Sequence, residues 1–486
     1  MQELEPGKLT QAGDYDLFTC QIVSYRIHKE NQKPVTIDIK PIVGSIEISE
    51  SIFQKTIQGK IQVLDGNDIK TILPITGLEK VHLKFNTPGA PGINFTEETG
   101  KEFHIYKIDR VNQLADARAL QAYDIYFTSK EQYYNRMSKV SKAYSGPLED
   151  AVEDILRSKR YLNSTKPYYF EPTKTNAKYV IPSLRPFEAI QLLAKQSVSQ
   201  KYKNAGYFFY ETNQGFHFRS IESMLAMDGS TPRPIKYYYN FGIRNRRDKD
   251  GNREVMQDMR IAYNYDLIKN VDVLKKMENG MFANKLTVHD AFNKTITTHE
   301  FDYMKTFDDY FHTESGGGKQ LIPFQKFDNT GKDLSQFAEA KSNVVTETSK
   351  VHNDFEFTPT KDTLPIITSQ REQFKNLSLG LEVPGNSLLN AGDIIHFNVP
   401  LMQPPEEDGK EKPNPYISGR YLVWGVRHVI APTGNRYSTV LQCTKDAVNT
   451  QFPVEQGEFT ITAQKPKVSS IYEEDRKIMG NIVGAT

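Results

Sequence analysis

The run Ser315-Gly-Gly-Gly-Lys-Gln320 combines the residue types that cradle a phosphate, glycines for close backbone approach and a lysine for charge. A phosphate loop of that kind also needs glycine at 313 and a hydroxyl residue after the lysine, where Thr313 and Gln320 stand, so a plain loop is the better reading. Asp248, Asp250 and Asn252 have the alternate spacing of a calcium loop, but Arg253 occupies the position that needs the sharp-turn glycine and Gly251 comes too early. None of the ten histidines falls in a His-Glu-x-x-His helix motif or an i, i+4 pair. His289–Asp290 and His299–Glu300 are sequence neighbours, which a strand sends to opposite faces. No Gly-x-Ser-x-Gly elbow occurs, and Asp308 and Asp309 read as solvated surface. Cys20 and Cys443 belong to no Cys-x-x-Cys pair and are expected to be buried thiols. Without a catalytic set, a metal set or a cofactor loop, the chain reads as an assembly part rather than an enzyme.

The elements around these residues alternate between β and helical character. Val35, Ile37 and Ile39, then Ile46 and Ile48, then Ile57, Ile61 and Val63, then Val81, Leu83 and Phe85 repeat with period 2, broken by Asp65-Gly-Asn-Asp68 and Thr87-Pro-Gly-Ala-Pro-Gly92. Such spacing predicts short antiparallel strands rolled into a barrel or sandwich. Two amphipathic helices follow. Pro147 opens one, with Leu148, Val152, Ile155 and Leu156 on a stripe; Pro186 opens the next, with Phe187, Ile190, Leu193 and Ala194 facing inward. Asn213 to Gly215 reads as a hairpin turn. Strands resume with Leu377, Leu379, Leu381 and Val383, and again from Ile394 to Val399; a charged, proline-rich insert, 402–415, comes next.

The chain of 486 residues is long enough for about three domains. Its net charge of +1 makes it no electrostatic trap for nucleic acid as a whole, leaving a locally charged channel open. A mean hydropathy of −0.57 and the lack of an ~18-residue apolar run argue against a membrane helix. The stretch Met1-Gln-Glu-Leu-Glu-Pro-Gly lacks the order of a secretory signal, so synthesis and folding in the host cytoplasm are expected. Tyrosine and phenylalanine are abundant, 26 and 27 against one tryptophan, which suits both strands and surfaces buried against other protein.

The closing hairpin, Ile417 to Asp446, shows apolar residues on both faces of one strand. Simple alternation puts Leu422, Trp424, Val426 and Ile430 on one side and Tyr421, Val423 and Val429 on the other. Two covers are open for the second face: a neighbouring barrel in a closed ring, or helices of the same chain.

The order of pieces here resembles the central hub proteins of contractile, T4-like phage-tail baseplates. The resemblance rests on Leu381-Glu-Val-Pro-Gly-Asn-Ser-Leu-Leu-Asn-Ala-Gly-Asp393, on Gly419-Arg-Tyr-Leu-Val-Trp-Gly-Val-Arg-His428, and on Tyr437-Ser-Thr439 leading to Lys445-Asp446. Upstream, Gly59 to Phe85 with Leu73-Pro-Ile-Thr-Gly77, and the helices after Gly146 and Arg185, agree with it. The resemblance implies a mainly β, α+β fold: two antiparallel β-barrels like the tail-tube subunit, with an inserted helical and mixed domain. The expected division is a first barrel at 15–115, a helix-containing middle domain at 116–204, and a discontinuous second barrel from 205–230 and 370–450. A mixed continuation would fill 231–369, and a tail 451–486 would follow.

It further implies a homotrimer that adapts a hexameric tail-tube protein to a trimeric central spike protein in the virion, beside baseplate wedge or other hub proteins. Its channel would pass DNA and the tape-measure protein. No cofactor and no catalytic or metal residue is implied. The spike base of a type VI secretion or related injection machine shares the design, and a tail-associated cell-wall hydrolase or glycan-binding protein is the rival of another class. Partner contacts are expected at Tyr421, Val423 and Val429 and at the tail residues Ile471, Tyr472, Ile478 and Ile482.

Overall fold

The computed structural model describes residues 8–27, 32–113, 120–174, 176–226, 232–242, 254–269, 272–291, 293–314, 319–320, 326–327, 331–347, 359–375, 377–401 and 412–448. The fold is mainly β, with large antiparallel sheets and a smaller helical component. Eight strands build the first barrel-like unit: β1 (Asp16–Ile27), β2 (Pro34–Asp38), β3 (Val43–Ser51), β4 (Gln58–Asp65), β5 (Lys80–Asn86), β6 (Ile93–Phe95), β7 (Phe103–Gln113) and β8 (Gln121–Ser129). Their hydrogen-bonded order is β3-β4-β8-β7-β5-β1-β2, with β6 on β5. Every second residue points into one core, so Val81, Leu83 and Phe85 meet Ile46, Ile61, Phe103 and Phe127 there, all fully buried. Gly59 is what allows β4 to lie against the Phe127 ring, because a Cβ at that position would stand 2.2 Å from it.

The first unit is longer than the expected 15–115. Residues Tyr123, Ile125 and Phe127 alternate into the same core, and β8 pairs with both β4 and β7. A helical lobe follows, with α1 (Lys130–Met137), β9 (Val140–Pro147), α2 (Leu148–Arg157), β10 (Tyr168–Phe170), β11 (Asn176–Leu184), α3 (Pro186–Gln196), β12 (Tyr207–Thr212) and β13 (Gly215–Ser220). Helices α2 and α3 bury the stripes read from the sequence, Leu148, Val152, Ile155 and Leu156 on one and Phe187, Ile190, Leu193 and Ala194 on the other. Pro147 caps α2 and Pro186 opens α3, whose Glu188 carboxylate accepts the Arg185 N–H at 3.1 Å.

The hairpin β12–β13 turns at Asn213–Gln214 and pairs with β10, so it belongs to this lobe and not to the second barrel. Its strand β12 is buried on both faces. Tyr207 and Phe209 enter the core of the helical lobe, while Phe208 and Tyr210 enter a separate cluster with Ile52 and Leu422. It is the wall between the lobe and the barrels.

The second barrel-like unit takes its strands from elsewhere: β14 (Tyr237–Asn240), β15 (Asn264–Lys269), then, after a small sheet of β16 (Ala283–Asp290), β17 (Thr295–Asp302) and β18 (Ser342–Glu347) and a helix α4 (Leu364–Phe374), β19 (Leu377–Pro384), β20 (Ile394–Asn398), β21 (Gly419–Ala431) and β22 (Arg436–Lys445). Leu377, Leu379, Leu381 and Val383 fill its core with Phe397 and Leu441. The calcium-like Asp248, Asp250 and Asn252, the glycines of 315–318, most of the 402–415 insert and the tail 451–486 lie outside the described residues. Among the described residues, no helix is long and apolar enough to cross a membrane.

Candidate assembly site: the seam between the two barrels

Strand β21 is longer than its own barrel requires. Its first half pairs with β20, from Leu422↔Ile394 to Gly419↔Phe397, and its second half pairs with β3 of the first barrel. Six residue pairs, Gly425↔Ser51 through Ile430↔Ile46, join the two barrels into one 14-stranded sheet. The register shifts between Val423 and Gly425, and this bulge reverses the alternation assumed from the sequence. Before it, Tyr421 and Val423 face the second core, whereas after it Val426 does; Ile430 ends in the core of the first barrel. Leu422 and Trp424 face the third cluster, with Ile52, Phe208 and Met224.

The chain itself therefore fills both faces of this strand. Tyr421 and Val423, expected against a partner, are 0% exposed within the second core, and the Tyr421 hydroxyl donates to the Ile417 carbonyl at 2.5 Å. Val429 is half-buried, and Ile471, Tyr472, Ile478 and Ile482 lie outside the described residues.

Buried ionic groups fasten the seam. Glu50 on β3 accepts the Ala391 N–H at 2.9 Å and the Asn213 N–H at 3.0 Å, so one carboxylate holds the first barrel, the β12–β13 turn and the second barrel. Burial pushes its pKa up to about 8, against the opposing pull of those two N–H groups. Deeper in, Lys166 donates to Glu131 at 2.8 Å and to Glu211 at 2.6 Å, with all three side chains at most 2% exposed. Glu211 also accepts the Ile57 N–H at 2.9 Å and the Ser129 hydroxyl at 2.7 Å, both from the first barrel. Burial opposes the Lys166 charge, yet the two carboxylates prevail and raise its pKa; burial raises that of Glu211.

The Lys445-Asp446 end of the hub-like signature has a similar role. Asp446 meets His312 at 2.8 Å and accepts the Thr313 N–H at 2.8 Å, while Lys445 meets Glu314 at 2.7 Å. Burial disfavours charge on both partners of the first pair, but their mutual attraction raises the His312 pKa and lowers that of Asp446. His428 is a structural histidine: its Nδ1 is 2.8 Å from the Tyr437 hydroxyl, and burial lowers its pKa to about 4. Gly385 of the same signature carries the face of Tyr437, whose ring would lie 2.1 Å from a Cβ there.

Between the barrels opens a cleft of about 560 Å³ of mixed character, lined by Asn94, Lys101, Arg233, Lys236 and Asp393 beside Ile93, Leu388 and Ile394. Lys236 and Asp393 pair across it at 2.7 Å. On the first barrel, ligand atoms of His82, Glu97 and Glu102 come within 4.8 Å of one another, but Lys80 already holds Glu102 at 2.8 Å, so the group is an ion-pair cluster. Sequence reasoning missed Glu50, Glu131, Lys166 and Glu211, because nothing in spacing separates a buried charge from a surface one before the fold is known. The signature's Lys445-Asp446 was the one visible signal.

No family model and no curated protein matches the sequence. The solved structures that the chain resembles include tail proteins and a component of a type VI secretion system. The tail protein from Neisseria meningitidis MC58 is 10% identical with a TM-score of 0.47, covering 88% of this chain and 97% of its own. The 43 kDa tail protein of prophage MuSo2 from Shewanella oneidensis is also 10% identical with a TM-score of 0.47, over 89% of this chain and all of its own (100%). The E. coli c3393 protein is a component of the type VI secretion system with structural similarity to the T4 bacteriophage tail proteins gp27 and gp5. It is 11% identical with a TM-score of 0.36, over 83% of this chain and 73% of its own.

Proposed function

We propose that this protein is the structural hub of a phage-tail baseplate, a trimer that joins a sixfold tail tube to a threefold spike. The observation that carries the reading is the β3–β21 ladder, which makes one chain into two barrels side by side in a single sheet. Three such chains supply six barrels, the number needed to match a hexameric ring while keeping threefold symmetry for the spike. Slip between the barrels would break the ladder and unpair Glu50, so the pair acts as one rigid block. The work is geometric: rings of fixed diameter held by large interfaces, with DNA and the tape-measure protein passing through the channel.

Mass photometry of the purified chain with and without the spike protein, followed by electron-microscopic class averages, tests this. The expected result is a particle of three chains with pseudo-sixfold views that binds the spike. A chain that stays monomeric over the whole accessible concentration range and forms no complex with spike or tube protein overturns it.

A further inference from the structure

Beside the seam lies a mostly apolar cavity of about 340 Å³, walled by Ile52, Phe208, Met224, Leu422 and Trp424. That volume is at the lower end of ligand-sized pockets and suits one or two bulky side chains. Its rim mixes exposed apolar side chains, Phe53 48% and Ile268 50%, with the polar Lys375 and Gln442. Large apolar side chains gathered around an open cavity mark a binding surface.

The wall also carries an unanswered charge. The Arg371 guanidinium lies over the Phe208 ring, 5.3 Å from its centre, and its Nε is buried without a hydrogen-bond partner. Among the described residues no carboxylate pairs with it. Lys55, half-buried nearby, donates to the Phe209 carbonyl at 3.3 Å, and burial together with Arg371 lowers its pKa to about 8. Two neighbouring half-buried cations without an acid disfavour each other's charge, and an incoming carboxylate relieves them.

We propose that this cavity receives the segment Ile471-Tyr472-Glu473-Glu474-Asp475 of a second copy of the chain. The apolar pair fills the cavity and the acids meet Arg371 and Lys55. In sequence the segment has the required order, bulky apolar residues followed at once by three carboxylates. Residues 449–470 separate it from the last described residue, Val448, and a chain of that length spans at most about 75 Å, enough to reach an adjoining copy. The choice of a second copy rests on the trimeric reading above.

Trp424 is the only tryptophan, so its fluorescence reports the cavity directly. The full chain is compared with the full-length double variant Ile471→Ser/Tyr472→Ser, at a series of dilutions and with mass photometry alongside. The expected result is blue-shifted Trp424 emission in the wild type that fades on dilution and is missing in the variant. A synthetic peptide of residues 468–480 restores it in the variant. Arg371→Ala raises the half-saturating peptide concentration by about tenfold or more, the loss of one charge-assisted contact. Equal emission from wild type and variant at every concentration overturns the proposal. A difference that persists at dilutions where mass photometry shows monomers alone overturns it too, since it assigns the cavity to the chain's own tail. A variant that remains trimeric while losing the emission shift separates this docking from the assembly itself.

Discussion

Replacing Lys166 by methionine removes the one cation from a site that holds two carboxylates. In the wild type, Lys166 lies 2.8 Å from Glu131 and 2.6 Å from Glu211, with all three side chains out of solvent. At an effective dielectric of about 20, each contact is an attraction on the order of 5 kcal/mol. Desolvating three ions takes back several kcal/mol apiece, so the intact triad contributes little net stability. The variant keeps the desolvation and loses the attraction. Glu211 retains the Ile57 N–H and the Ser129 hydroxyl, and Glu131 retains the Ser164 hydroxyl at 2.6 Å. With that partial compensation, Lys166→Met should destabilise by about 3–5 kcal/mol at pH 8. In calorimetry this appears as a fall in Tm on the order of 3–5 °C for a chain of this length.

The penalty should shrink toward pH 5, where the stranded Glu211 takes up a proton. Glu211 is already displaced upward by burial and protonates readily. The triple variant Lys166→Met/Glu131→Gln/Glu211→Gln should recover at least half the loss. The exposed pair Lys142–Asp154, also at 2.8 Å, is the control, and its loss should cost at most about 1 kcal/mol. A Lys166→Met variant within about 1 kcal/mol of wild type, or one whose penalty is the same at pH 5 and pH 8, refutes the reasoning.

Glu50 should make the fold less stable as pH rises from the ordinary carboxyl value toward about 8, because the folded chain binds the proton that the unfolded chain releases. Glu50→Gln should flatten that part of the Tm–pH curve while losing one of the two N–H acceptors, at a cost of about 1–3 kcal/mol; an unchanged slope counts against it. The His312–Asp446 pair has two limits. His312, raised in the folded state, contributes fully below its unfolded pKa of 6.5 and loses that contribution as pH rises through its higher folded value. Asp446, lowered in the folded state, contributes above 3.8 and loses it as pH falls through its lower folded value. His312→Gln should erase the alkaline limb and also weaken the acid one, since His312 is the leading group that lowers Asp446; a pH series of thermal melts reads both. Gly385→Ala should cost about 1–3 kcal/mol through the Tyr437 ring, whereas Gly434→Ala, with nothing within 4 Å of the new Cβ, should be neutral. Equal effects of the two substitutions would sink the close-approach argument.

Period-2 alternation was enough to find most strands of both barrels, since Val81, Leu83 and Phe85 or Leu377, Leu379 and Leu381 can alternate only if one face is buried. The helices were legible for the same reason at their own period. What misled was the hairpin Tyr207–Ser220, which has barrel-like patterning but apolar residues on both faces, and so serves as a wall between cores. The bulge at Val423–Gly425 was equally invisible. One extra residue moves Val426 to the side of Tyr421, and no composition rule marks where a ladder shifts. The seam charges could not be read at all, because Glu50 and Lys166 look like any surface residue until three distant segments converge on them.

The residues that carry the hub-like resemblance are, for the most part, residues of joints. A barrel wall asks only for apolar residues in alternation and tolerates exchange among them. A joint asks for identities: Gly385 must lack a side chain for Tyr437 to lie against it, and Lys445 and Asp446 must oppose Glu314 and His312. Those two pairs hold the segment before residue 315 onto the last strand, far from the β3–β21 ladder in sequence yet on the same long sheet. Specific residues are thus concentrated where independent segments have to meet in one geometry, with ordinary pattern in between. For a protein whose proposed task is to hold six barrels at fixed angles, this is where specificity is needed.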